Sequence, residues 1–178
     1  MGKRILVLSA SPRRGGNSDL LCDEFIRGAA EAGHRCEKVF LRDQTIGYCT
    51  GCGVCNTTHA CVQKDGMAAL LQKMADADGI VLATPVYFYT MDAQLKTLID
   101  RTVPRYTELS GKEFWFIATA AETDPALLER TMDGLRGFTD CLEGPVERGA
   151  LRAGGVWEKG EVKGTAHMQA AYRMGKNA

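Results

Sequence analysis

The segment Gly79-Ile80-Val81-Leu82-Ala83-Thr84 constrains the fold more than any other part of the chain. Its apolar run is nearly continuous, which is what a strand covered on both faces requires. The flanking sequence supplies the partners for such a strand. Arg4 to Ser9 is a second short apolar run, and Phe114-Trp115-Phe116-Ile117-Ala118 is another. Cys36 to Leu41 alternates loosely, and glycines between Gly144 and Val156 blur the ends of a fifth strand. Between these runs the period changes to that of helices. Leu21, Phe25 and Ala29 mark a helix over 17–32, which Gly33 can end. Met67, Leu70, Leu71 and Met74 mark a short helix, and Leu95, Leu98 and Ile99 mark one over 91–101. Leu128, Met132, Leu135 and Leu142 mark the next helix, and 165–174 can close the chain with another. Five strands alternating with helices predict an α/β fold with a parallel sheet and helices on both faces.

Composition narrows the function. With 178 residues the chain fits one domain spanning 1–178, large enough to bury a core without disulfides. Twenty-two basic and 22 acidic side chains leave no net charge, against a nucleic-acid binder, a polybasic membrane anchor or a strongly acidic electron carrier. No apolar run approaches a transmembrane helix, and Ile5 to Leu8 is too short for the core of a signal peptide. The expected location is the cytoplasm, where seven cysteines read as thiols, metal ligands or redox groups.

In a sheet of this kind ligands bind beyond the carboxyl ends of the strands, near the topological switch point. The loop after the first strand reads Ser9-Ala10-Ser11-Pro12-Arg13-Arg14-Gly15-Gly16-Asn17-Ser18. Hydroxyls, arginines and a helix start converge there, where the helix dipole favours an anion. A phosphate could bond backbone amides, the Ser11 and Ser18 hydroxyls and Arg13. An ordinary N-cap explains Asn17 and Ser18 as well, but not the paired arginines. Thr84-Pro85-Val86-Tyr87-Phe88-Tyr89-Thr90 reads as a loop whose aromatics suit a flat apolar ligand, although one of the rings is expected to cap the core. Asp100 and Arg101 read as a structural ion pair at the surface or an interface.

Taken together, these motifs resemble the flavodoxin-fold NAD(P)H-dependent FMN reductases. The phosphate loop, Thr84 to Tyr87 followed by Ala93-Gln94-Leu95-Lys96, Ile99-Asp100-Arg101, Gly155-Val156 and Lys159-Gly160-Glu161-Val162 carry the likeness over almost the whole chain. The resemblance implies a flavodoxin-like doubly wound sheet in the order 2-1-3-4-5. It places Ser9, Ser11, Arg13, Asn17 and Ser18 at the FMN phosphate, and Pro85, Val86, Tyr87 and Phe88 along the isoalloxazine. Thr119, Ala120 and Ala121 would approach the other edge, where relatives often carry glycine instead. It also implies NAD(P)H as co-substrate and a homodimer or homotetramer. Tyr87 to Met91 and Trp157 are the segments suited to the interface.

Cys49, Cys52, Cys55 and Cys61 give C-x2-C-x2-C-x5-C within a cysteine-rich insertion at about 46–62. Three cysteines at such steps can wrap one face of a cubane, with the fourth completing the ligation. Gly51 and Gly53 would allow tight turns around it. The spacing resembles the iron–sulfur flavoprotein branch of the same family and implies a [4Fe-4S] cluster. Zinc held by four thiolates, or a loop of metal-free thiols, stays open from the residues alone. Cys22, Cys36 and Cys141 are expected in the core, and His34, His59 and His167 outside any site.

The expected activity is FMN-dependent electron transfer from NAD(P)H or a ferredoxin-like carrier to a quinone, flavin or other small acceptor. The chemistry resides on the flavin, with no side chain required as acid or base. A non-enzymatic FMN and iron–sulfur electron carrier, or a thiol or metal redox sensor, are the alternatives.

Overall fold

Side chains along the central strands alternate between two buried clusters. Ile80 and Leu82 face one side with Leu6, Leu8, Phe114 and Phe116. Val81 and Ala83 face the other with Ile5, Val7, Trp115 and Ile117. Both faces therefore need a helical layer, and the chain supplies two. In the computed structural model, which describes residues 2–178, the strands are β1 (Arg4–Ser9), β2 (Arg35–Phe40), β3 (Gly79–Tyr87), β4 (Thr90–Met91), β5 (Glu113–Thr119) and β6 (Val146–Ala153). The helices are α1 (Asn17–Glu31), α2 (Cys55–Thr58), α3 (Met67–Asp76), α4 (Ala93–Asp100), α5 (Glu129–Thr139) and α6 (Ala166–Lys176). Met67, Leu70, Leu95, Leu98, Met132 and Leu135, from α3, α4 and α5, belong to the first cluster. Leu21, Phe25 and Ala171, from α1 and α6, belong to the second.

The sheet order is β2-β1-β3-β5-β6, all parallel, with β4 added antiparallel to β3. Counting parallel strands only, this is the expected 2-1-3-4-5. Register aligns the carboxyl ends, with Ser9 opposite Ala83 and Pro85 opposite Thr119. The loops after β1, β3 and β5 therefore leave the sheet side by side at its switch point. Among the described residues no helix is long and apolar enough to cross a membrane.

Three sequence readings change. The aromatic segment after Thr84 is not a plain loop, because β3 continues to Tyr87 and turns back through β4, delaying α4 to Ala93. Cys141 is exposed just past the end of α5, with its thiol donating to Gly137 O at 3.3 Å, and so is not a core residue. Cys22 is buried as expected, whereas Cys36, also expected in the core, is only half-buried on the edge strand β2. Burial pushes the Cys22 thiol up to about 12, leaving it protonated in the core.

Helices α1 and α6 approach so closely that glycine is required at their contact. A Cβ on Gly28 would lie 2.1 Å from Tyr172 O, and one on Gly175 would lie 2.0 Å from Phe25 O. Gly137 of α5 has nothing within 4 Å of its Cβ position. Alanine in a helix ordinarily stabilises by about 1 kcal/mol relative to glycine. Gly137→Ala should gain up to about that amount, whereas Gly28→Ala should lose about 1–3 kcal/mol by forcing the helices apart. Urea unfolding of the two variants checks the opposite signs.

Candidate functional site

The β1–α1 loop is shaped by its own short contacts. The Ser11 hydroxyl accepts from Arg13 N at 3.2 Å, and Gly16 N donates to Arg13 O at 2.9 Å. A Cβ on Gly16 would lie 2.8 Å from Arg13 O, so only glycine lets the turn close. From outside, Arg42 donates to Pro12 O at 2.8 Å, while Arg14 pairs with Asp43 and stacks over Phe40. Arg14 thus braces the loop, and Arg13 faces the cleft.

That cleft, of about 120 Å3, is lined by Ser11, Arg13, Asn17 and Ser18 from the first loop, and by Pro85, Val86 and Tyr87 from β3. Thr119, Ala120 and Ala121 close its other side. Ten of the twelve expected flavin residues are therefore brought together here. Ser9 is not among them, because its buried hydroxyl donates to Asp19 at 3.4 Å beneath the loop, where Lys38 also reaches Asp19 at 2.7 Å. Phe88 is also absent from the lining, since it stands fully exposed at the tip of the β3–β4 hairpin. Asn17 lines the cleft, but its side chain is engaged at both ends, donating to Glu158 O at 3.0 Å and accepting from Val162 N at 3.2 Å. Its amide group fastens the 157–162 segment over α1. Ser18 and Thr119 share a 2.7 Å hydroxyl contact that joins the two sides of the cleft.

The same fastening brings in Val156, Trp157 and Lys159, which residue patterns did not single out as site residues. The Lys159 side chain passes the Gly15 backbone, where a Cβ would lie 3.4 Å from its Cε. The Arg13 guanidinium donates only to Trp157 O, at 3.3 Å. Among the described residues neither cation has a carboxylate partner, and both face the cleft beside the amino end of α1. Two unpaired cations, a helix N-terminus and hydroxyls make a site for a multiply charged anion.

The hairpin at the rim is strained. Phe88 and Tyr89 occupy the two turn positions with φ of 50° and 62°, while Tyr87 pairs with Thr90. Asparagine and glycine ordinarily fill such positions. Here all three aromatics are exposed, contrary to the expectation that one would cap the core, and Arg130 lies 5.7 Å from the Tyr89 ring centre. At the hairpin's base Asp92 caps α4, accepting from Leu95 N at 3.0 Å, while its own amide donates to Thr84 Oγ1 at 3.0 Å. Its second carboxylate oxygen is buried without a partner. Burial raises the carboxyl from 3.8 to about 7, against the opposing bonds from Leu95 and Thr84.

The cysteine loop forms a second feature on the same molecule. Cys49, Cys52, Cys55 and Cys61 all line one cavity of about 270 Å3, together with Asp100, Arg101 and Pro104. Gly51 and Gly53 turn the chain with φ of 66° and 73°. Among the described residues no three His, Cys, Asp or Glu side chains are close enough to hold a single metal ion. A cubane takes each thiolate on a different iron, so its ligands stand further apart than those of one ion. Four cysteine thiols lining one cavity supply the donor set that such a cluster, or a zinc ion after rearrangement, would take.

Arg101 closes this loop at both ends. Its Nη1 donates to Gly47 O at 2.6 Å and to Asp65 at 2.7 Å, and its Nη2 reaches Asp65 at 3.0 Å. Asp65 in turn accepts from Gly47 N at 3.0 Å and Met67 N at 3.1 Å. The Arg101 guanidinium above all, aided by these amides, holds Asp65 down to about 2. The expected surface pair of Asp100 with Arg101 is not formed. Asp100 pairs with Lys96 at 2.5 Å, because Arg101 turns inward to a better acceptor set.

Residues 3–135 match the family model described as NADPH-dependent FMN reductase. An iron–sulfur flavoprotein of Methanocaldococcus jannaschii is 41% identical over 101 residues, covering 57% of this chain and 52% of that protein. One from Archaeoglobus fulgidus is 40% identical over 94 residues, covering 53% and 43%. The matches thus span about half the length of these relatives. An NAD(P)H:quinone oxidoreductase from Methanothermobacter marburgensis superimposes with a TM-score of 0.74 at 18% identity, over 99% of this chain and 97% of that one. An FMN-dependent NADH-azoreductase from Bacillus anthracis, solved with FMN, gives 0.70 at 16%, over 99% and 96%. These two likenesses concern the fold.

Asp92 supplies a test of this local structure. Its carboxyl is raised in the folded state, so between about pH 4 and 7 the folded chain holds a proton that the unfolded chain has lost. Stability from this group must therefore fall as pH rises through that window, by at most about 1.4 kcal/mol per unit. Asp92→Asn, which keeps an oxygen for the cap, should remove that part of the slope. Denaturant unfolding at intervals from pH 4 to 8 checks it, and parallel curves for the two proteins would contradict it.

Proposed function

The chain belongs to the NADPH-dependent FMN reductase family, and on that premise we propose that it is an FMN-dependent oxidoreductase taking electrons from NAD(P)H or an iron–sulfur carrier to a quinone or other small acceptor. The observation that carries the reading is the pair of unpartnered cations, Arg13 and Lys159, facing one cleft at the α1 N-terminus. A terminal phosphate dianion matches them in charge. Ser11 and the backbone amides of the first turn would complete its hydrogen bonds. Pro85, Val86 and Tyr87 would then lie along the flavin ring, with Thr119 to Ala121 at its other edge.

FMN, when bound, can accept a hydride and release electrons singly or in pairs, and a [4Fe-4S] cluster passes them singly. The chain's part is positioning. The cleft, of about 120 Å3, is smaller than the roughly 300–1,000 Å3 that encloses a ligand of this size, so part of a bound FMN would be left at the open rim. Tyr87, Phe88, Tyr89 and Trp157 are exposed at or near that rim. Their exposed apolar surface supports a homo-oligomer in which a second copy covers the ring and limits water. Cys49, Cys52, Cys55 and Cys61 would hold the cluster, a reading supported by their shared cavity and by relatives named iron–sulfur flavoproteins.

Titration of the apoprotein with FMN and with riboflavin tests the phosphate assignment. Arg13→Ala and Lys159→Ala should each weaken FMN binding by about 1.5–3 kcal/mol, the range for a charge-assisted hydrogen bond. Riboflavin, lacking the phosphate, should bind all three proteins alike. Equal losses for both flavins would reject the assignment. Anaerobic oxidation of NADH and NADPH with a benzoquinone acceptor tests turnover by the FMN-loaded protein. Its absence would leave the electron-carrier reading.

A further inference from the structure

Arg101 is 2% exposed, yet its Nε–H is buried without an acceptor. Both terminal nitrogens are engaged, Nη1 on Gly47, Gln63 and Asp65 and Nη2 on Asp65. A buried donor left unpaired is destabilising and calls for a partner. The side chain lines the cysteine cavity, and Cys61 on the same wall lies within its reach. Asp65 is not part of the cavity lining, so the pair presents its positive end to the thiols and its negative end away from them. The other charge at the cavity, Asp100, is already paired with Lys96.

We propose that Arg101 is a positioning residue for an iron–sulfur cluster on Cys49, Cys52, Cys55 and Cys61, with its Nε–H and its charge directed at the Cys61 thiolate so that the reduced cluster is favoured. The proposal rests on the cluster reading above. Reduction of the cluster by one electron from an external reductant adds one negative charge to it, and no bond to the protein forms or breaks. A cation held in place beside the thiolates stabilises that added charge. The fixed fork of an arginine can hold the loop at Gly47 and Asp65 with two nitrogens and leave the third for the thiolate.

The test is a dithionite titration, followed by electron paramagnetic resonance, of the anaerobically purified holoprotein and two variants. FMN content reports folding. Arg101→Gln removes the cation and should shift the reduction equilibrium at least tenfold toward the oxidised cluster, which is about 59 mV for one electron. Asp65→Asn leaves the cation unneutralised and should shift it the other way. A loop that is merely loosened would move both variants in the same direction, and that result, or three coincident titrations, overturns the proposal. Should Arg101→Gln lose FMN or its cluster, Asp65→Asn decides alone, since an upward shift requires the opposing cation. Wild-type protein without iron and sulfide would overturn the cluster reading itself, and no cluster signal would then appear to titrate.

Discussion

Because Ile80 and Leu82 point into one core while Val81 and Ala83 point into the other, β3 can be satisfied only between two layers of helices. From that double burial the arrangement of the site follows. Crossover helices on both faces force parallel strands, and parallel strands place all their carboxyl ends on one edge. Chain order reverses between β1 and β3, so the loops after β1, β3 and β5 meet there instead of being covered by a crossover. The cleft is the space these loops leave, and its chemistry is set by what each brings. The first brings Arg13 and the α1 N-terminus, β3 brings an apolar wall, and β5 brings Thr119, bonded to Ser18.

Much of this was legible in residue patterns, for physical reasons that also explain what was not. Buried strands and amphipathic helices announce themselves by period, so the sheet and its helices follow from sequence, whereas ten of the residues that line the cleft were expected there chiefly from the resemblance to the FMN reductases. Ser9 was misplaced because a strand's alternation sets only the side on which a residue lies, and its hydroxyl is drawn to Asp19 beneath the loop. The β3–β4 hairpin was hidden because its turn is made by Phe88 and Tyr89, where local propensity would demand asparagine and glycine. Lys159 lies more than 140 residues from Arg13 in sequence and reaches the cleft only because Asn17 fastens the 157–162 segment across α1. No local signal encodes such a contact. The structural role expected of Arg101 holds, but its partner was misassigned to Asp100 for the same reason, since its acceptors at Gly47 and Asp65 are distant in the chain.

Besides the buried carboxyl of Asp92, two features depart from what stability alone would select. The hairpin holds aromatic residues in left-handed conformations with their rings in solvent, and the cysteine loop leaves a buried guanidinium donor unpaired. Each lies at a place where function is proposed, at the rim of the flavin cleft and at the wall of the cysteine cavity. Strain and unsatisfied polarity of this kind accumulate where a ligand or partner completes the structure. The α1–α6 contact, with its two glycines, shows the opposite pattern of close packing without polar compromise, and it lies behind the site rather than in it.

The proposed molecule holds FMN in the cleft at the switch point and an iron–sulfur cluster on the cysteine loop. Anaerobic purification followed by assay of FMN, iron, acid-labile sulfide and zinc per chain tests it most directly. The expected result is about one FMN with about four irons and four sulfides, the content of one cubane. FMN with neither iron nor zinc would contradict the second half and leave a plain FMN reductase whose cysteines are structural or redox thiols. Protein without FMN that takes none up would contradict the whole.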